Sequence, residues 1–239
     1  YVEASIRGTL GTAYLEIGDP AAAERHLRRA LELASAYLGE GTRETANVHN
    51  DLALALRELS MIDEAERHLI IAEASLDAIA EPDDRDLLSV RHNLALIAYD
   101  RSRFAKAEPI LRDVAARRLD SLGPDDAQTI ATQSLLASVL LEQNKSDEGE
   151  AMLLDTLERS RRAPGADHPR TIVLLNNLSQ QYERQGRYAE AEPILVDLVA
   201  IARTVHGPAH PTTALLLNNL GGVYESMDRP DDAEPCYRE

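Results

Sequence analysis

The residues HPRTIVLLNNLSQQYERQGRYAEAEPIL, His168 to Leu195, decide the fold. From Thr171 to Arg184 the apolar side chains Leu174, Leu175, Leu178 and Tyr182 fall on one stripe at helical spacing. Gly186 supplies the break expected after a helix, and from about Tyr188 to Val205 a second stripe carries Ala191, Ile194, Leu195, Leu198 and Ile201. Pro193 lies early enough in this second helix for its missing N–H to cost little. The segment His206-Gly-Pro-Ala-His-Pro211 cannot continue a helix and turns the chain into another unit. The stretch is a helix pair, A then B.

The same pair recurs along the whole chain. Leu10, Leu52, Leu94, Leu136, Leu178 and Leu220 fall at steps of 42, and Glu24, Glu66, Glu108, Glu150, Glu192 and Glu234 keep the same register. Beside the glutamates run Ala23, Ala65, Ala107, Gly149, Ala191 and Ala233, small residues that let helix B cross helix A closely, with Gly149 the one departure from alanine. The reading is all-α: a single array over residues 1–239, a right-handed superhelical solenoid of six antiparallel helix pairs. Its repeats lie at about 1–40, 41–82, 83–123, 124–165 and 166–207, with a truncated sixth at 208–239. Tyr1 stands where a helix A begins and Glu239 partway through a helix B, so the parent protein is expected to continue on both sides.

Composition agrees and excludes some classes of function. Apolar residues make up 44% of the 239, with one Phe and no Trp, which suits helix packing better than sheet. A formal net charge of −16 argues against nucleic acid and against anionic membrane surfaces. The lone cysteine, Cys236, excludes an intramolecular disulfide and fits a reducing compartment. No apolar run approaches the ~18 residues of a membrane span, nor do the first residues have a signal-peptide layout, so the expected location is cytoplasmic. Positive charge comes from 25 Lys and Arg, almost all Arg, which hints at a GC-rich, bacterial genome.

The stretch 168–195 and its counterpart HPTTALLLNNLGGVYESMDRPDDAEP, residues 210–235, resemble the 42-residue tetratricopeptide repeat of kinesin light chain type, over essentially the whole chain. The resemblance implies a non-catalytic protein-interaction module whose helix-A asparagines bond the backbone of an extended peptide on a concave face. Onto that motif fall Asn176-Asn177, Asn218-Asn219, Asn93 and Asn50. It also implies a bacterial signalling or scaffold context, with the alternative of a regulatory or substrate-recruiting arm of a serine/threonine kinase.

The groove follows independently from placing helix-A residues at 100° intervals. Leu175, Leu178 and Tyr182 define the core side, whereas Val173, Asn177, Gln180 and Arg184 point away from it. The column of Arg184 reads Glu16, Glu58, Asp100, Glu142, Arg184 and Ser226, four acids in succession. One turn earlier stand Leu54 and Leu96, where a solvated face prefers polar residues. The peptide-binding candidates are therefore Asn93, Asn177, Asn219, Gln180, Arg184, Glu16, Glu58, Asp100, Glu142, Leu54 and Leu96. With helices about 8–10 Å apart, the acids and leucines form a negative groove with an apolar floor for a basic peptide with aliphatic anchors. An ordinary solvated face is the competing reading, and self-association through the open ends of the array is a third.

Catalytic and metal chemistry find little support. The glutamates of the 42-residue column stand a repeat apart, too far for a carboxylate pair, and are read as supporting the positive end of their own helix B. His168 and His210 precede prolines in equivalent turns, which suits helix entry. His206 and His210 have a chelating spacing, but Gly207-Pro208 breaks the helix between them. Phosphate-loop, nucleophile-elbow and zincin motifs do not occur, and neither a cofactor nor a metal is expected.

Overall fold

The computed structural model describes residues 2–162 and 169–238; His168 and the side chain of Val173 lie outside the described residues. Twelve helices and no strand are found among the described residues: α1 Val2–Glu16, α2 Pro20–Leu38, α3 Arg43–Glu58, α4 Ile62–Asp77, α5 Arg85–Asp100, α6 Phe104–Leu122, α7 Ala127–Glu142, α8 Ser146–Arg162, α9 Pro169–Arg184, α10 Tyr188–His206, α11 Pro211–Ser226 and α12 Pro230–Arg238. Odd-numbered helices are the A helices and even-numbered ones the B helices. The chain divides into two compact units, Tyr1–Gly123 and Pro124–Glu239, each containing three pairs.

Local chemistry sets each boundary. Asp19, Thr42, Asp84 and Asp126 accept backbone N–H bonds at the starts of α2, α3, α5 and α7. His210 does the same for α11, its Nδ1 accepting from the Thr212 N–H at 3.2 Å. The turn between A and B is left-handed once per repeat, at Gly18, Ser60, Ser102, Asn144, Gly186 and Asp228. Position 186 is thus one member of a column in which the backbone imposes positive φ whether or not glycine is present.

In the first unit Leu27, Leu52, Leu56, Leu69 and Leu76 are almost wholly buried, packed with Ala23, Ala46 and Ala65. In the second, Leu153, Leu175, Leu178, Leu195 and Leu198 play the same part around Ala137 and Ala191. Each such leucine contributes roughly 1.5–3 kcal/mol of burial. In the 42-residue leucine column only Leu10 is open, 40% exposed against 0% for Leu52. In α3 and α11 this face is covered by the preceding pair, and α1 has no such neighbour among the described helices.

Two features depart from the expectations drawn from sequence. Gly149 replaces alanine because Leu141 fills its place: a Cβ there would lie 2.7 Å from Leu141 Cδ2 and 3.1 Å from the Ala137 carbonyl oxygen. The recurring glutamates serve more than their own helix. Glu66 accepts from Arg103, Glu150 from Arg187 at 2.6 Å and Glu192 from Arg229 at 2.9 Å, each donor 37 residues on, at the A–B turn of the next repeat. Arg187 and Arg229 also lie over the Tyr182 and Tyr224 rings, at 4.2 and 4.6 Å. At these three positions the glutamate is a staple between repeats, whereas Glu24, Glu108 and Glu234 pair with Arg28, Arg112 and Arg238 one turn along their own helix B.

Candidate binding faces on the A helices

In the first unit the sequence candidates lie on α1, α3 and α5. Asn93 Nδ2 donates to Asn50 Oδ1 at 2.8 Å, so these amides link neighbouring A helices. Asn50 in turn donates to Asp51 Oδ1 at 3.3 Å. Nearer the helix N-termini Arg43 holds Asp84 and Asp86, at 2.8 and 2.7 Å, and at the far end Arg57 binds Asp100 through two bonds of 2.5 and 3.1 Å. Three of these contacts span 43 residues, one more than the period. Single columns of the sequence miss Arg57 and Arg43; pairing each position with the one 43 residues ahead finds both.

The arginines change the electrostatics of the predicted groove. Asp100 is paired with Arg57, whereas Glu58 and Glu16 are exposed and make no ion pair among the described residues. Leu54 and Leu96 are partly buried. A depression of about 420 Å³ opens one helical turn further on, lined by Arg57, Glu58, Ser60, Ile62 and Asp100. Asp51 occupies the slot equivalent to Asn93, and burial first, then the nearby Asp86 charge, push its carboxyl up to about 6 against the pull of Asn50. On the opposite flank His49 Nδ1 meets His68 Nδ1 at 2.7 Å, and burial, with the neighbouring His68, holds His49 down to about 4.

In the second unit the candidates lie on α7, α9 and α11. Asn177 Nδ2 donates to Ser138 Oγ at 3.0 Å, and Arg184 bonds Glu142 at 2.6 Å. Asn177 and Asn219 are half-buried; Gln180 and Arg184 are exposed. The sign change from Glu142 to Arg184 is thus one ion pair, and the four acids form no uninterrupted negative strip: two of them, Asp100 and Glu142, carry an arginine. Burial pushes the Glu183 carboxyl up.

No group of three or more metal-ligating side chains converges among the described residues. His206 and His210 stack at 4.6 Å between ring centroids, with His210 engaged as a helix cap. None of the described helices is long and apolar enough to cross a membrane. What the A faces offer is amides, carboxylates, guanidinium groups and half-buried leucines, the equipment of a docking module.

That class has a family. Tetratricopeptide repeat models match residues 2–74, 86–153, 128–204 and 173–239, and the chain belongs to the tetratricopeptide repeat family. A search of curated proteins found no match. Among solved structures, BtubC from P. vanneervenii is 20% identical with a TM-score of 0.72, covering 92% of this chain and 87% of that one. The putative kinesin light chain TPR-like repeats of Podosopora anserina are 19% identical with a TM-score of 0.67, covering 84% and 94%. A Rap protein complexed with competence and sporulation factor is 15% identical with a TM-score of 0.60, covering 95% of this chain and 65% of that one. The fold is that of kinesin light chain-like repeats, and repeats of this family are generally non-catalytic interaction modules.

Proposed function

We propose that the chain binds a protein or peptide on its A-helix faces, and that the face of α3 and α5 takes a basic segment with aliphatic anchors. The observation that carries this is Glu58: exposed and without an ion pair among the described residues, it borders a depression of about 420 Å³ that Ile62 also lines, with Leu54 and Leu96 half-buried on the neighbouring column. A lysine or arginine of the ligand pairs with Glu58, and its aliphatic neighbours cover the leucines. Glu16 extends the negative charge, and Asp100 joins once the ligand competes with Arg57. In the second unit Asn177, Gln180, Asn219 and the Glu142–Arg184 pair supply mixed polar contacts. The expected setting is the cytoplasm, where Cys236 stays a thiol.

The test is a peptide array holding basic-aliphatic and acidic-aromatic families, probed with the chain and with its Glu58→Lys and Asn177→Ala forms. Basic-aliphatic binding that Glu58→Lys abolishes supports the reading. Preference for acidic peptides, or binding indifferent to Glu58→Lys, overturns it.

A further inference from the structure

The second repeat carries two adjacent exposed aliphatic side chains on its helix B. On α4 the stripe Ala65, Leu69, Ala72 and Leu76 is buried, and the opposite side carries Ile70 and Ile71, 51% and 41% exposed. Position 71 is charged in four other repeats, as Arg29, Asp113, Asp155 and Asp197; position 70 is Arg28 in the first, Arg112 in the third and the exposed Leu154 and Val196 in the fourth and fifth, so only the second repeat pairs two exposed aliphatics there among the described residues. Beside the isoleucines lies a depression of about 500 Å³, walled by Ala74 and Ser75 of α4, by Ala78 just past its end and by Glu40 and Gly41 of the preceding turn. One helix thus presents two protruding aliphatic side chains and, within two turns, a hollow edged by small residues.

Charge is arranged along the same face. Arg67 stands one turn before Ile71, exposed and in no ion pair among the described residues. Glu40, exposed and likewise without an ion pair among them, lies toward the other end, where the Ser75 hydroxyl reaches its carbonyl. The C-terminal end of α4 adds the negative pole of its dipole there. Knob and hollow, positive end and negative end, make this surface complementary to itself turned through 180°.

We infer that α4 is the seat of a two-fold interface with a second copy of this chain. The two α4 helices cross antiparallel, Ile70 and Ile71 of each copy seat against Ala74 and Ala78 of the other, and Arg67 of each faces Glu40 of the second copy. Alanines at the crossing allow close axial approach, and the same patch serves both sides, as a two-fold dimer requires. The interface uses none of the A-helix residues proposed for ligand binding and leaves those faces open.

The test is the mass of the 239-residue chain by size exclusion with light scattering, over about 1–100 µM. The expected result is twice the 26.3 kDa chain mass at the upper concentrations. Ile71→Asp, which installs the residue of three other repeats, returns the mass to that of one chain while the helical circular dichroism is kept. Arg67→Glu and Glu40→Arg each weaken dimerisation at least tenfold, and combining them restores it, because the swapped charges meet again across the two-fold axis. A single-chain mass at every concentration overturns the inference. So does a dimer that survives Ile71→Asp, one abolished instead by Leu10→Asp on the open face of α1, or a charge swap that fails to restore pairing.

Discussion

Replacing Gly149 with alanine sets two well-understood effects against each other. In an open helix position the change stabilises by about 1 kcal/mol, through the loss of backbone freedom in the unfolded chain. At Gly149 the added Cβ would lie 2.7 Å from Leu141 Cδ2, 2.8 Å from its Cγ and 3.1 Å from the Ala137 carbonyl oxygen. Leu141 is 8% exposed and has no solvent to swing into, and the carbonyl belongs to helix backbone. Overpacking of this kind costs about 1–3 kcal/mol, so Gly149→Ala is expected to destabilise by about 1 kcal/mol net. Gly222, in α11, has no atom within 4 Å of the place a Cβ would take and serves as the control, with Gly222→Ala stabilising by about 0.5–1 kcal/mol. The assay is urea unfolding followed by far-ultraviolet circular dichroism. Combining Gly149→Ala with Leu141→Ala should show a favourable coupling, since each change removes the other's conflict. Stabilisation by Gly149→Ala alone, equal to that of Gly222→Ala, would show that Leu141 does not exclude a side chain at position 149.

Other expectations follow from burial, backbone geometry and titration. Leu52→Ala should cost about 2–5 kcal/mol and Leu10→Ala roughly 1 kcal/mol, read from the same urea curves, because the first leucine is 0% and the second 40% exposed. Ser102→Gly should stabilise by about 1 kcal/mol, since Ser102 holds φ at 54° in the turn, and a lower melting temperature would count against it. Between about pH 6.5 and 4 the unfolded chain protonates at residue 49 while folded His49, lowered to about 4, does not, so this histidine removes stability as pH falls through that window. His49→Gln should flatten that part of a stability-versus-pH profile. Asp51, raised to about 6, acts in the opposite sense: its contribution is present below the unfolded value near 3.8 and lost as pH rises through 6. Asp51→Asn should therefore raise the melting temperature at pH 7.5 and leave it nearly unchanged at pH 3.5.

Most of the architecture was legible because it repeats. The helix A expected over Thr171 to Arg184 is found at Pro169–Arg184, and the helix B expected over Tyr188 to Val205 at Tyr188–His206. Apolar periodicity and turn residues are local signals, and six copies in register multiply them. The faces were less legible. Columns taken at the exact period place equivalent residues side by side, and Arg184 meets Glu142 in that way, but Asn50 meets Asn93 and Arg57 meets Asp100 with an offset of one. The column holding the acids of the expected groove omits the arginine that binds Asp100, because Arg57 sits in the adjacent column. The glutamate staples escaped for the same reason, with partners 37 residues away, between one repeat and the next. Gly149 was recognised as an exception, and its cause, the Leu141 side chain, is a matter of rotamer and not of pattern.

Partner recognition is proposed for the A-helix face of α3 and α5. Its most direct test is calorimetric titration of the best-binding basic-aliphatic peptide into the chain and into a Leu54→Asp/Glu58→Lys double variant whose helicity and melting temperature have first been matched to the parent. The expected result is saturable binding to the parent chain and a loss of at least tenfold in affinity for the variant. Equal affinity for both would contradict it and place recognition away from this face.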